Sequence, residues 1–237
     1  MGVCVCIFLR QVAIKIVGKT SNDENWHGHW IPREAFMMSR VLGVEGCIQL
    51  IDWYERPCCF YIVMERPADS MDLFDLISKN GPLEEDVCRS FFRQVLDVTM
   101  RCHREGILHR DIKDENILVN LKTGNLKLID FGSAAFLHEK VYTGYYGTRA
   151  YGPPEWIELN QYHGIPATVW TLGIFLFNLA CGDVPFDNDK EICRAKPVFT
   201  RTLSSSLQDL IQSLLRLEPK RRPSLEEILK HPWMAKE

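Results

Sequence analysis

Apolar positions along this chain change their spacing near residue 70. Before it, Gln11 to Val17 (QVAIKIV) is β-branched and nearly continuous, with Lys15 set among apolar neighbours, and predicts a strand. A polar, Trp-bearing stretch from Gly18 to His29 separates it from Arg33 to Leu42, where helical spacing after Pro32 predicts one helix. Ile48 to Tyr54 and Cys59 to Met64 alternate across a turn at Glu55 to Pro57, which predicts an antiparallel hairpin.

From Asp72 the period lengthens. Asp72 to Lys79 reads as helix, and Pro82 to Arg104 carries Val87, Phe91, Phe92, Val95, Leu96 and Met100 at helical steps. Two short β-like runs, Ile117 to Asn120 and Leu126 to Ile129, flank a turn at Lys122 to Asn125 that Gly124 suits. An irregular stretch then runs to Pro154, and helices follow near Val169 to Cys181, Leu207 to Leu217 and Ser224 to Lys230. The fold class is therefore α+β, with a sheet-rich part at 1–66 and a helix-rich part at 67–237.

Composition narrows the partners. The 28 Lys+Arg against 31 Asp+Glu give no broad cationic face, and the longest basic run, Lys220 to Arg222, has three residues, so no nucleic-acid partner is expected. The nine cysteines lack paired C-x-x-C spacing and read as reduced intracellular thiols. Neither the apolar opening Val3 to Leu9 nor Val169 to Cys181, interrupted by Asn178, reaches the roughly 18 residues of a membrane span.

Two motifs carry candidate chemistry. His109-Arg110-Asp111-Ile112-Lys113-Asp114-Glu115-Asn116 follows a long helix and precedes the small hairpin, and Asp130-Phe131-Gly132 stands at the hairpin's end. A chance match to the His, Arg, Asp, Lys and Asn of the first is on the order of 10⁻⁴ by equal residue usage. Phosphoryl transfer needs a carboxylate to take a hydroxyl proton, oxygen ligands for Mg²⁺ and cations on the phosphates. Asp111 would orient the hydroxyl, Lys113 would lie against the transferring phosphate, and Asn116 with Asp130 would ligate magnesium. Lys15, in Val12-Ala13-Ile14-Lys15, would hold the α and β phosphates of ATP, braced by Glu34 in the first turn of the following helix.

With these motifs the sequence resembles a eukaryotic protein kinase. Pro153-Pro154-Glu155 stands in place of Ala-Pro-Glu, and Arg222 matches the family arginine that pairs with that glutamate. Within the superfamily it is most similar to the Pim serine/threonine kinases, through Asp52 to Pro57, Met64 to Pro67, Asp72 to Asp75, Lys113 to Asn116, Tyr151 to Trp156 and Cys181 to Phe186. The resemblance implies a two-lobed fold: a small antiparallel sheet with one helix, its first two strands missing, and a larger, mainly helical lobe. It also implies a monomer with a cytoplasmic or nuclear location.

Glu65 to Pro67 would be the interlobe hinge with Met64 as gatekeeper. Pro67 has no N–H to give adenine, so the Glu65 carbonyl and apolar walls from Ala13, Leu118 and Ile129 would carry the contact. Pim-like preference for arginine-rich Ser/Thr protein substrates would rest on Asp72, Asp75, Asp114, Glu115, Asp183, Asp187 and Asp189, since carboxylates pair bidentately with guanidinium.

The sequence departs from the family in three places. No Gly-x-Gly-x-x-Gly precedes Lys15, and Met1 to Arg10 resembles nothing in the family, through a truncated gene model or real loss; without that loop a nucleotide loses N–H donors and a lid, and weak or absent catalysis is the expectation. Gly144 and Tyr146 stand where Pim kinases carry acids opposite the arginine of His-Arg-Asp, leaving Arg110 without that partner unless Thr143, Tyr145 or Tyr146 is phosphorylated. Thr168 replaces a common bracing aspartate, as in Pim kinases. Two functions follow as expectations: a serine/threonine kinase using Mg-ATP, or a non-catalytic, kinase-shaped binding module.

Overall fold

The computed structural model describes residues 11–20, 23–26 and 29–235. The apolar opening, Cys4 and Cys6 lie outside them.

Alternation in the first strand has a direct structural reading. In β1 (Val12–Gly18) every second residue faces out, with Ile14 and Ile16 exposed, while Ala13, Lys15 and Val17 turn inward. The stretch read as a polar connection holds a hairpin instead, β2 (Glu24–Trp26) with β3 (His29–Ile31); three-residue strands are too short to show a period. Pro32 caps α1 (Arg33–Arg40), where a missing N–H costs nothing, and Ala35, Met37 and Met38 are buried on its inner side.

β4 (Leu50–Glu55) and β5 (Cys59–Glu65) form the expected hairpin, and the sheet order is β1-β5-β4 with Lys15 opposite Ile62. Beyond the hinge, β6 (Ser70–Asp72) leads into α2 (Leu73–Asn80), then α3 (Glu85–Arg104) and β7 (Ile107–Leu108). β8 (Ile117–Asn120) and β9 (Leu126–Leu128) pair through a turn in which Gly124 takes φ 71°, and β6 joins them as the edge. β10 (Ala135–Phe136) pairs with β7.

The rest of the large part is helical: α4 (Pro154–Leu159), α5 (Gly164–Cys181), α6 (Asp189–Ile192), α7 (Ser205–Leu214) and α8 (Leu225–Leu229). α5 begins five residues before the run counted in the sequence, because Pro166 sits in its first turn, where proline is tolerated. It is long and apolar enough to cross a membrane by composition, but it is buried almost throughout and forms the centre of the core. Ser224 and Glu227 close a capping box at α8.

One hydrophobic core runs through both parts. The loop after α1 is stitched to β9 by Leu128 N–H to the Gly46 carbonyl (2.7 Å) and Ile48 N–H to the Leu128 carbonyl (2.9 Å). The seven described cysteines are free thiols; the sulfurs of Cys47 and Cys102 lie 3.4 Å apart in the core.

Candidate active site

A cleft of about 650 Å³ opens between the sheet and the helical part. Ala13, Met64, Glu65, Leu118 and Ile129 line it together with Lys15, Glu34 and Asp130, so residues 117 apart in the chain share one wall system. A cavity of similar volume behind the hinge, lined by Gln49, Gln94, Arg101 and Lys127, holds none of the candidate catalytic groups.

Lys15 reaches two carboxylates at once. Its Nζ donates to Glu34 Oε1 and to Asp130 Oδ1, both at 2.9 Å. Burial alone would lower the Lys15 pKa, but Glu34 and then Asp130 hold it above the usual lysine range. Burial pushes the Glu34 carboxyl up, against the pull of Lys15. Burial also opposes ionisation of Asp130, yet the Lys15 ammonium and the Gly132 N–H together keep its pKa below the usual aspartate value. Asp130 occupies the left-handed region at φ 59°, a strained backbone held by its own side chain accepting from Gly132 N–H (3.0 Å).

The catalytic-loop candidate is pinned from several sides. Asp111 Oδ1 accepts from the N–H and the hydroxyl of Thr148, each at 2.8 Å, and Oδ2 accepts from Asn116 Nδ2 at 3.0 Å. The Ile129 N–H donates to the Asn116 carbonyl (2.9 Å), which sets Asn116 beside the residue preceding Asp130. Asn116 spends its amide N–H on Asp111, leaving a side-chain carbonyl; that oxygen and the Asp130 carboxylate are the hard-oxygen groups that could hold Mg²⁺. Lys113 is ion-paired with Glu115.

His109 is a residue whose role the motif does not explain. Its Nδ1 accepts from the Asp111 N–H (3.3 Å), so Nε2 carries the proton donated to the Ile129 carbonyl (3.0 Å). Burial lowers its pKa below the usual histidine value, and the ring meets Phe131 edge-on at 4.9 Å between centroids. It thus ties the His-Arg-Asp loop to the Asp-Phe-Gly segment.

Glu155 and Arg222 form a bidentate pair at 2.8 and 2.7 Å, with the guanidinium also donating to the carbonyls of Pro166, Arg216 and Leu217.

The acids expected to meet substrate divide. Asp114 is buried: it accepts from Tyr151 Oη (3.0 Å) and Asn178 Nδ2 (2.9 Å), so it serves the core and corrects the expectation of a substrate acid. Asp72 accepts from Asp75 N–H as the cap of α2, and Asp75 pairs with Lys79. Asp189 is engaged bidentately with Arg149. Glu115 and Asp183 line a small cavity with Lys113 and Thr148, and Asp183 and Asp187 are exposed.

Arg110 also differs from expectation, since it does have a fixed environment. Its Nε donates to the Ser133 carbonyl (2.6 Å) and its guanidinium lies over the rings of Tyr146 and Tyr142. Sequence reading also missed Lys127, whose ammonium is 2.5 Å from Glu65 Oε1 and steadies the hinge from behind. Its only signal is a charge on a strand otherwise apolar at Leu126 and Leu128.

The protein kinase domain matches residues 8–234. This chain belongs to the protein kinase family. It is 50% identical over 195 residues to the serine/threonine-protein kinase pim-2 of Danio rerio, a match covering 82% of this chain and 63% of the relative. It is 43% identical over 234 residues to the serine/threonine-protein kinase prk-2 of Caenorhabditis elegans, covering 95% of this chain and 53% of that one. Human testis-specific serine/threonine-protein kinase 3 is 34% identical over 237 residues, with 87% of its length covered. The chain thus spans between about half and two thirds of the pim-2 and prk-2 relatives. The two-part architecture is that of a protein kinase, with the cleft between the lobes.

Proposed function

We propose that this kinase transfers the γ-phosphate of ATP to serine or threonine of arginine-rich proteins. The observation that carries the reading is the Lys15–Glu34–Asp130 cluster on the wall of one cleft, with the hydrogen-bonded Asp111–Asn116 pair tied to the strand end before Asp130 by the Ile129 N–H to Asn116 carbonyl bond.

Adenine lies against Ala13, Leu118 and Ile129 with the Glu65 carbonyl as its acceptor. Lys15, fixed by Glu34, holds the α and β phosphates. Asn116 and Asp130 would hold Mg²⁺, which when bound neutralises charge on the phosphates. Asp111 receives the hydroxyl proton as the oxygen attacks phosphorus and the bond to the β-phosphate oxygen breaks. Thr148 orients Asp111, and Lys113 steadies the transferring group once it leaves Glu115. Glu115, Asp183 and Asp187 are the carboxylates placed to meet substrate arginines.

The purified chain with Mg²⁺, labelled ATP and an arginine-rich serine peptide should transfer label, and Asp111→Asn should lower the rate at least about 100-fold. Equal label in both samples overturns the reading and leaves a non-catalytic binding module.

A further inference from the structure

Three contacts close a ring around Arg110. Arg110 Nε donates to the Ser133 carbonyl (2.6 Å), Ser133 Oγ donates to the Tyr146 carbonyl (2.7 Å), and the Tyr146 ring lies 4.8 Å from the Arg110 guanidinium carbon. Tyr142 offers a second face at 5.9 Å. The negative face of an aromatic ring attracts a guanidinium, which is planar and weakly hydrated enough to stack on it.

The two glycines beside Tyr146 make the ring's position possible. A Cβ on Gly144 would stand 2.8 Å from Tyr146 Cε2, so the ring fills space that a side chain at 144 would take. A Cβ on Gly147 would stand 2.3 Å from the Arg110 carbonyl oxygen, so the segment approaches the catalytic loop more closely than any other residue allows. Gly144 therefore makes room for the Tyr146 ring.

We infer that Tyr146 is a positioning residue whose ring packs on the Arg110 guanidinium and holds segment 143–148 against the catalytic loop. The path to the chemistry is short. Thr148, two residues on, supplies both donors to Asp111 Oδ1. Arg110 is the immediate neighbour of Asp111. Losing the ring removes the stacking contact with Arg110, leaves segment 143–148 on the Ser133–Tyr146 and Tyr162–Gly144 bonds to its backbone, and loosens the two donors that aim the catalytic carboxylate. The inference rests on the kinase reading for its rate effect, but the clamp itself is a structural claim.

The test uses the full chain, treated with phosphatase and shown by intact mass to carry no phosphate. Tyr146→Leu should lower kcat about five-fold with the ATP KM within two-fold, and Tyr146→Phe, which keeps the ring, should retain at least half the activity. Gly144→Ala, which pushes the ring aside, should behave like Tyr146→Leu. Amide hydrogen exchange across 142–150 should quicken about five-fold in Tyr146→Leu and Gly144→Ala and stay at the wild-type rate in Tyr146→Phe. Wild-type exchange in Tyr146→Leu overturns the inference, as does protection of the segment that develops only after phosphorylation of Thr143, Tyr145 or Tyr146. If the wild type transfers no label, the kinase reading fails alone, because the exchange comparison still decides the clamp.

Discussion

Two charged clusters in this molecule use the same chemistry to opposite ends. The Glu155–Arg222 pair is sealed: the Arg222 side chain is 1% exposed and is held by Glu155 and the carbonyls of Pro166, Arg216 and Leu217. The Lys15–Glu34–Asp130 cluster is open on one side, with Lys15 36% and Asp130 44% exposed. It also includes a residue at positive φ. A sealed pair locks two elements together and has no capacity left for a ligand. An open one keeps donors that a phosphate or a metal can claim, and contributes less to holding the fold.

The largest effect should come from breaking the sealed pair. Arg222→Met leaves Glu155 buried without its cation and should cost about 3–5 kcal/mol, read as a fall in the urea midpoint. Lys15→Met should invert the pattern. Phosphoryl transfer falls about 100-fold or more, while the midpoint moves less than half as far as in Arg222→Met. The physical reason is that Glu34, already pushed up by burial, can take a proton when its partner is gone.

A smaller effect is expected behind the hinge. Lys127→Met releases the Glu65 carboxylate from the ammonium that fixes it, and should raise the ATP KM about five-fold with kcat within two-fold; Lys127→Arg should recover part of the loss. Steady-state kinetics at varied ATP separate the two parameters.

The smallest effect is a slope. Burial lowers His103 from 6.5 to about 4, and its Nδ1 has no partner among the described residues. Its folded pKa is depressed, so the stability it contributes is full above pH 6.5 and is lost as pH falls toward 4. His103→Gln should flatten the fall in urea midpoint between pH 6.5 and pH 5 by the share of up to about one proton. An unchanged slope would show that His103 protonates equally well in the folded chain.

Much of the site was legible because its residues belong to short motifs: Lys15 in a strand, Asp111 and Asn116 in one loop, Asp130 at a hairpin end. Motifs specify which side chains are near one another in number, and local backbone then aims them. What escaped depends on distant partners. Asp114 stands between Lys113 and Glu115, and nothing in that run tells that it alone turns inward to Tyr151 and Asn178. The Tyr146–Arg110 contact spans 36 residues, and its enabling feature is the absence of a side chain at Gly144. In the fold, β2 and β3 were too short for a period, and α5 is apolar all round, so its start carries no amphipathic mark.

The Asp114–Tyr151–Asn178 network has a thermal consequence. Asn178 is a buried polar residue on the helix at the centre of the lobe, and it grips the turn that carries Asn116. That turn cannot fray independently while the central helix stands, because letting go strands a carboxylate, a phenol and an amide away from water. Heating should therefore leave the geometry around Asn116 intact until the lobe melts as a whole, so that warmth accelerates turnover up to the edge of collapse and then ends it abruptly.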